Sequence, residues 1–237
     1  MTNLLYARTI PVDNEITIHI PTVGEVLDSN GLYDTIVSTI TATPRDLMVE
    51  LDDLGIDYNE IEEYDLFLML FQSLKTIDTS LLFSGVDFKP YEIAVGENEE
   101  VILLNKDTGN YIDKFKYLYL CDTMSKINFL KRNNKKAGNK AAKDYLIQKE
   151  RKKKKRAKRK RKSDENPLNN LIISLVNSAE FKYDYQSVLD LTIYQFNASL
   201  HQIISRVSFD KLMIGVYAGT VDTSKMSPKS LSWIKQD

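Results

Sequence analysis

The chain has 237 residues, of which 43% are hydrophobic, with one cysteine, nine glycines and six prolines. This composition can bury a core, excludes an intramolecular disulfide framework, and favours helices over a β-sandwich. The formal net charge of −1 conceals a strong division: residues 1–125 hold 7 basic and 23 acidic residues (−16), Lys126–Lys162 holds 19 basic residues against only Asp144 and Glu150 (+17), and residues 163–237 carry −2.

In chain order, Ile16–Ile20 alternates and is β-branched, which predicts a short strand ending at Pro21. Thr22 followed by Glu25 predicts a capped helix start. Leu32–Ile40 is apolar and predicts a helix, weakened by its threonines and Val37. Thr43-Pro44, with Asp46 next, predicts a second start, for a helix over Pro44–Leu54 that stops at Gly55. Ile61–Leu74 contains Leu66-Phe67-Leu68-Met69-Leu70-Phe71, apolar on every face, and belongs in the middle of a core. Tyr91–Val95 and Val101–Leu104 flank Gly96-Glu97-Asn98-Glu99 and predict a hairpin, with a turn over Lys106–Asn110. A helix is expected from about Tyr111 to Arg132, then a polar hinge over Asn133–Asn139.

Ala141–Lys162 is rich in helix formers but has almost no apolar face after Ile147, and like charges four apart oppose the helix. The expectation is a frayed, solvated helix that firms up on an anionic partner. Ser163–Pro167 reads as a linker and cap, and Leu168–Ser178 as a short amphipathic helix. Tyr185, Leu189, Ile193, Phe196, Leu200, Ile203 and Val207 recur at helical spacing and predict one long helix, followed by a helix over Leu212–Ala218, a break at Gly219-Thr220 and a last short helix from Ser227-Pro228 through Trp233. The resulting fold class is α+β and mostly helical: a small acidic α+β domain with a β-hairpin over 1–131, a long basic helical connector over 132–166, and a helical bundle over 167–237.

No catalytic constellation is readable. His19 and His201 are the only histidines and neither has a second ligand four residues on. Cys121 lies on an apolar helix face and reads as a small buried hydrophobe. The acidic cluster Asp52-Asp53, Asp57, Glu60, Glu62-Glu63, Asp65 lacks calcium-loop spacing, and no phosphate-cradling glycine motif occurs. No enzyme activity, metal or cofactor is therefore expected. A basic n-region followed by an apolar h-region is missing from the first residues, so no signal peptide is expected, and no apolar run is long enough to span a bilayer.

The basic run is the one sharp chemical feature. Arg151, Lys152, Lys153, Lys154, Lys155, Arg156, Lys158, Arg159, Lys160, Arg161 and Lys162 are candidate contacts to a polyanion or partner. Apart from Tyr145 the window has no interleaved aromatics, so base stacking is not suggested. A eukaryotic nuclear localisation signal has the same look. The alternative is a solvated segment that contacts protein, including the acidic part of its own kind. An anionic membrane would want Trp, Phe or Leu opposite the charges, and none follows Ile147. Leu189, Ile193, Phe196, Leu200 and Ile203 form a stripe that either closes a core or receives a partner helix.

Three stretches carry a family resemblance: Ile20–Leu27 with Ala42–Met48, Leu51–Tyr58, and Leu191–Asn197 leading to Gly219–Lys225. Together they resemble tail-module proteins of long-tailed bacteriophages of Gram-positive bacteria, of the tail assembly chaperone kind. The resemblance implies a non-enzymatic protein of the bacterial host cytoplasm that keeps the tape-measure protein soluble and helps tail-tube polymerisation, often made in short and frameshift-extended forms. It brings no catalytic residues. Tape-measure or tail-tube protein is the expected partner. The alternatives are a nucleic-acid-binding phage protein using the Lys/Arg-rich segment and a structural virion component.

Overall fold

A computed structural model describes residues 3–96, 99–160, 167–224, 226–227 and 232–234, with side chains excluded at 158–160. About 49% of the described residues are helical, with eight helices and two small antiparallel sheets among them, so the class is α+β and mostly helical, as expected.

Strand β1 (Thr9–Pro11) pairs with β2 (Thr17–His19), and Ile10 faces Ile18 with both side chains buried. Helix α1 (Val23–Asp28) starts at a full capping box, in which Thr22 Oγ1 accepts from Glu25 N at 3.2 Å and Thr22 N donates to Glu25 Oε2 at 2.7 Å. In α2 (Leu32–Thr41) the hydroxyls of Thr35, Thr39 and Thr41 donate to carbonyls four residues back, at 3.0, 2.8 and 2.8 Å. These hydroxyls are satisfied within the helix, and Tyr33, Ile36, Val37 and Ile40 are buried on its inner face.

The expected start at Pro44 is corrected. Residues 44–47 form a turn and α3 is Met48–Asp53. Thr43 Oγ1 donates to Asp46 Oδ2 at 2.7 Å and accepts from Asp46 N at 3.3 Å, so cap and first-turn acid close on one another ahead of the regular helix. The stop at Gly55 is seen, with φ of +74°, a backbone region that favours glycine.

Helix α4 (Glu63–Leu74) sits between two apolar clusters. Phe67, Leu68, Phe71 and Leu74 face a large one that runs from Ala7 to Phe196, and Leu66 faces a smaller one with Met48, Val49, Leu51, Tyr58 and Ile147. Being apolar on most sides is what lets one helix serve both, although Met69 stays 44% exposed. Aromatic rings tie α4 to its neighbours, Phe67 stacking on Tyr117 at 4.6 Å and Phe71 meeting Phe88 edge-on at 5.6 Å, while Phe88 in turn meets Phe83 edge-on at 5.2 Å.

The hairpin forms as β3 (Tyr91–Val95) and β4 (Val101–Asn105) in antiparallel register. Tyr111–Ile112 corrects the expected helix start: it is a third strand, β5, with Ile112 opposite Leu103 and 1% exposed. Helix α5 (Lys114–Ile127) begins after it, capped by Asp113 Oδ1 accepting from Lys116 N at 2.7 Å. It ends five residues before Arg132, with Phe129 at φ +53°. The polar stretch after it is tethered rather than a free hinge. Arg45 Nη1 donates to the Lys135 carbonyl at 2.5 Å, and Asn59 exchanges two hydrogen bonds with the Ala137 backbone at 2.9 and 3.2 Å.

Helix α6 (Lys140–Lys160) carries the basic run, and α7 (Pro167–Val176) opens on its proline. The linker 163–166 lies outside the described residues, as do 228–231 of the last helix expected from Ser227-Pro228 through Trp233, while Ser227, Ser232 and Trp233 are in no helix. The single long helix expected from Tyr185 is corrected to two elements. Ser187–Asp190 is a 3₁₀ turn, the chain extends at Leu191, and α8 runs from Ile193 to Tyr217 without a break before Leu212. A second capping box, Thr192 with Gln195, sets that start. The two capped starts lie side by side: Thr22 bridges Thr192, Val23 N donates to Leu191 O at 2.9 Å and Ile193 N to Pro21 O at 2.8 Å.

Phe196 is fully buried beside this junction. Phe196→Ala is expected to cost about 3–5 kcal/mol, the range for deleting a buried aromatic, measured by urea unfolding. A loss under about 1 kcal/mol would mean that α8 is not fixed to the core at this point.

Candidate functional site

Two surfaces carry the sequence-derived candidates: helix α6 and the distal half of α8. Along α6, Lys143, Ile147, Arg151 and Lys154 recur at steps of 4, 4 and 3, which puts them on one helical face. That face lies on α3 and the loop after it. Ile147 is 4% exposed in the smaller apolar cluster. Around it Lys143 Nζ meets Asp57 Oδ2 at 2.7 Å, Arg151 Nη2 meets Asp52 Oδ2 at 2.6 Å and Asp53 Oδ1 at 2.5 Å, and Lys154 Nζ meets Glu50 Oε2 at 2.6 Å. One buried isoleucine and an acidic rim thus hold a helix whose own composition opposes folding.

The titrations follow the contacts. Burial pushes the Glu50 carboxyl up, but the hydrogen bond from Lys154, with weaker help from its surroundings, outweighs this and leaves it below its ordinary value. The hydrogen bond from Lys143, then that from the Asn59 backbone, lowers Asp57. Hydrogen bonds to Asp53 and Asp52 raise the Arg151 guanidinium above its ordinary value.

Among the other candidates of the basic run, Lys152, Lys153, Lys155 and Arg156 are exposed. The side chains of Lys158, Arg159 and Lys160, and all of Arg161 and Lys162, lie outside the described residues. Contact of the basic segment with the acidic part of its own kind was among the alternatives, but which carboxylates face α6, namely Glu50, Asp52, Asp53 and Asp57, was not. The signal available was charge: −16 before the window and +17 within it.

On α8, Ile193 and Phe196 of the candidate stripe are buried, while Leu200 and Ile203 are partly buried against the core. Leu189 is not on this helix; it sits on the 3₁₀ turn and is 37% exposed. No residue of α8 after Phe196 is fully buried. Ile204, Ile214 and Tyr217 are 55%, 68% and 83% exposed. The chain after α8 turns back at Gly219 (φ +70°), Val221 packs on Gly215, and the Arg206 guanidinium lies 5.0 Å from the Trp233 ring.

The remaining polar candidates are structural in their contacts. His19 Nε2 lies 3.4 Å from Glu25 Oε2, and His201 stacks on Phe129 at 4.9 Å. Cys121 is buried, and burial pushes its thiol pKa up, away from the reactive thiolate. A cleft of about 280 Å³ is lined by Pro44, Tyr58, Ile61, Tyr64 and Leu118. The carboxylates on its rim are engaged by cations, Glu62 by Lys114 at 2.5 Å and Glu63 by Arg132 at 2.6 Å. No group of three or more His, Cys, Asp or Glu among the described residues is placed to hold a metal ion. No helix among them is long and apolar enough to cross a membrane.

A mostly helical α+β protein with two surface helices of opposite character is the class that these observations define. Within it, residues 154–236 match the family model described as the YomV second domain, YomV being a protein of a Bacillus phage region. The match takes in the end of α6, α7, α8 and the returning tail, and it makes the last third of the chain similar to a phage-associated domain. Of the stretches that resemble tail-module proteins, only Leu191–Asn197 with Gly219–Lys225 lies inside it. No curated protein and no solved structure matches the chain.

The α3–α6 contact has a pH dependence. Glu50 and Asp57 have lowered folded-state pKa values, so their contribution is complete above the ordinary values of 4.5 and 3.8 and is lost as pH falls below them. Stability to urea is therefore expected to fall between pH 6 and pH 3, and the fall to shrink in the double variant Glu50→Gln, Asp57→Asn. An identical fall in the double variant would show that these pairs do not hold α6. The size at neutral pH is small, about 0–1 kcal/mol per exposed pair.

Proposed function

We propose that this chain is a non-enzymatic phage morphogenesis factor, a tail assembly chaperone that holds the tape-measure protein until the tail tube encloses it. The observation that carries this reading is the emergence of an apolar helix stripe from the core into solvent. The face buried at Phe196 continues through Leu200, Ile203 and Val207, is interrupted by the exposed Asp210, and resumes at Ile214, about five turns on at ~3.6 residues per turn. A long apolar helical client offers the complementary surface, and helix-against-helix packing needs only that stripe on the chaperone. The acidic first half, at −16, keeps such a complex in solution. The likeness of residues 154–236 to a phage-associated domain covers this helix. The work would be done in the cytoplasm of the bacterial host.

A second reading, nucleic-acid binding, is favoured by one specific observation: Lys152, Lys153, Lys155 and Arg156 are exposed on α6.

Co-expression with the tape-measure protein of the same phage is expected to raise that protein's soluble yield several-fold. Ile204→Asp with Ile214→Asp is expected to abolish the gain while the circular dichroism of the isolated protein stays unchanged. Loss of the gene is expected to give filled heads without tails. Normal tails in its absence, or stoichiometric recovery of the chain from mature virions, would overturn the chaperone reading.

A further inference from the structure

We propose that α6 is divided into a mounting face and a working face, and that the working face tracks the phosphate backbone of duplex DNA without reading sequence. The proposal deepens the second reading above and is independent of the chaperone.

The division follows from helix geometry. Lys143, Ile147, Arg151 and Lys154 form the face turned to α3, where carboxylates already hold all three cations. Turned about half a revolution away are Tyr145, Lys149, Lys152 and Arg156, at steps of 4, 3 and 4. All four are exposed, Tyr145 at 67%. From Lys149 to Arg156 this row covers about 10 Å at ~1.5 Å per residue. Lys153, 76% exposed at its side chain and 3.3 Å from Glu150 Oε1, flanks it on one side, and Lys155 on the other.

The composition of the working face selects the ligand. A protein partner needs an apolar anchor at the centre of its interface, and a bilayer surface needs Trp, Phe or Leu to insert. This row offers neither beyond one tyrosine. Contacts to phosphates need only cations that can displace counterions, and they carry no base specificity. The mounting face matters as much. By engaging Lys143, Arg151 and Lys154, the acidic residues of α3 and its following loop fold the helix in advance and remove three cations from those available to a polyanion. The number of ions released on binding should therefore reflect the outer cations and not the total charge of the run.

The test is the salt dependence of binding of the full chain to a fluorescent 30-base-pair duplex of arbitrary sequence. Affinity should fall steeply with salt and be the same for a second, unrelated duplex. Each phosphate contact contributes about 0.9 to the slope of log affinity on log salt. The variant Lys149→Gln, Lys152→Gln, Arg156→Gln should flatten that slope by roughly 2–3, whereas the same three positions changed to Lys149→Arg, Lys152→Arg and Arg156→Lys should keep it. Arg151→Gln with Lys154→Gln should leave the slope unchanged while trypsin cleaves within 140–160 faster. Absence of binding at low salt, an equal loss of slope from the inner pair, or equally tight binding of polyglutamate would each overturn the proposal. None of these outcomes bears on the co-expression result with the tape-measure protein.

Discussion

The seating of α6 on α3 is the interaction on which the surface of this protein depends. A helix carrying Arg151–Arg156 as six consecutive cations repels itself at every i,i+4 pair, by a few tenths of a kcal/mol each. Isolated, it has little reason to form. Placed against Glu50, Asp52, Asp53 and Asp57 it has counter-charges along one face and an apolar anchor, Ile147, among them. Surface pairs of this kind are individually weak. Their number and their shared face, together with one buried side chain, decide where the helix lies. The division of charge along the sequence is thereby brought together in space: the acidic part supplies the mount and the basic part supplies the mounted helix.

The second surface has a different origin. Helix α8 is fixed at its start, where the Thr192–Gln195 capping box lies against the Thr22–Glu25 box and backbone bonds join Pro21 and Val23 to the residues around Thr192. Ile193 and Phe196 complete the core there. Farther along, the same stripe has progressively less to pack against, and Ile214 and Tyr217 stand in solvent. An apolar face exposed at the far end of an anchored helix is the surface on which the proposed helical client would pack. The charged surface on α6 and the apolar one on α8 can therefore act separately.

Much of this was legible in the residues. Thr22 with Glu25, Gly55, the Tyr91–Leu104 hairpin and the central place of Leu66–Phe71 follow from local chemistry, since a cap, a left-handed turn and an all-round apolar helix are each set within a few residues. The departures were set by distant contacts. Tyr111–Ile112 became a strand because Leu103 and Leu104 offered an open edge. The Leu189–Ile193 spacing imitates a continuous helix, yet the chain breaks at Leu191 to pair with Pro21 and Val23. The Thr192-x-x-Gln195 signature stood in the sequence as a sign of that break. On the candidate surfaces, the cations of α6 from Arg151 onward were identifiable one by one, whereas Lys143 and Lys149 were not singled out. Their division into two faces was not, because it depends on which side α3 occupies.

Hydrogen exchange of the isolated protein, read by mass spectrometry at neutral pH, tests the seating of α6 most directly. With α6 mounted as described, peptides covering residues 143–154 exchange slowly in low salt and accelerate markedly in ~1 M salt, where the Debye length is about 3 Å and exposed ion pairs are screened. The core peptides of α4 stay protected in both. Exchange of residues 143–154 at the rate of an unstructured chain in low salt, without a partner, would contradict the account.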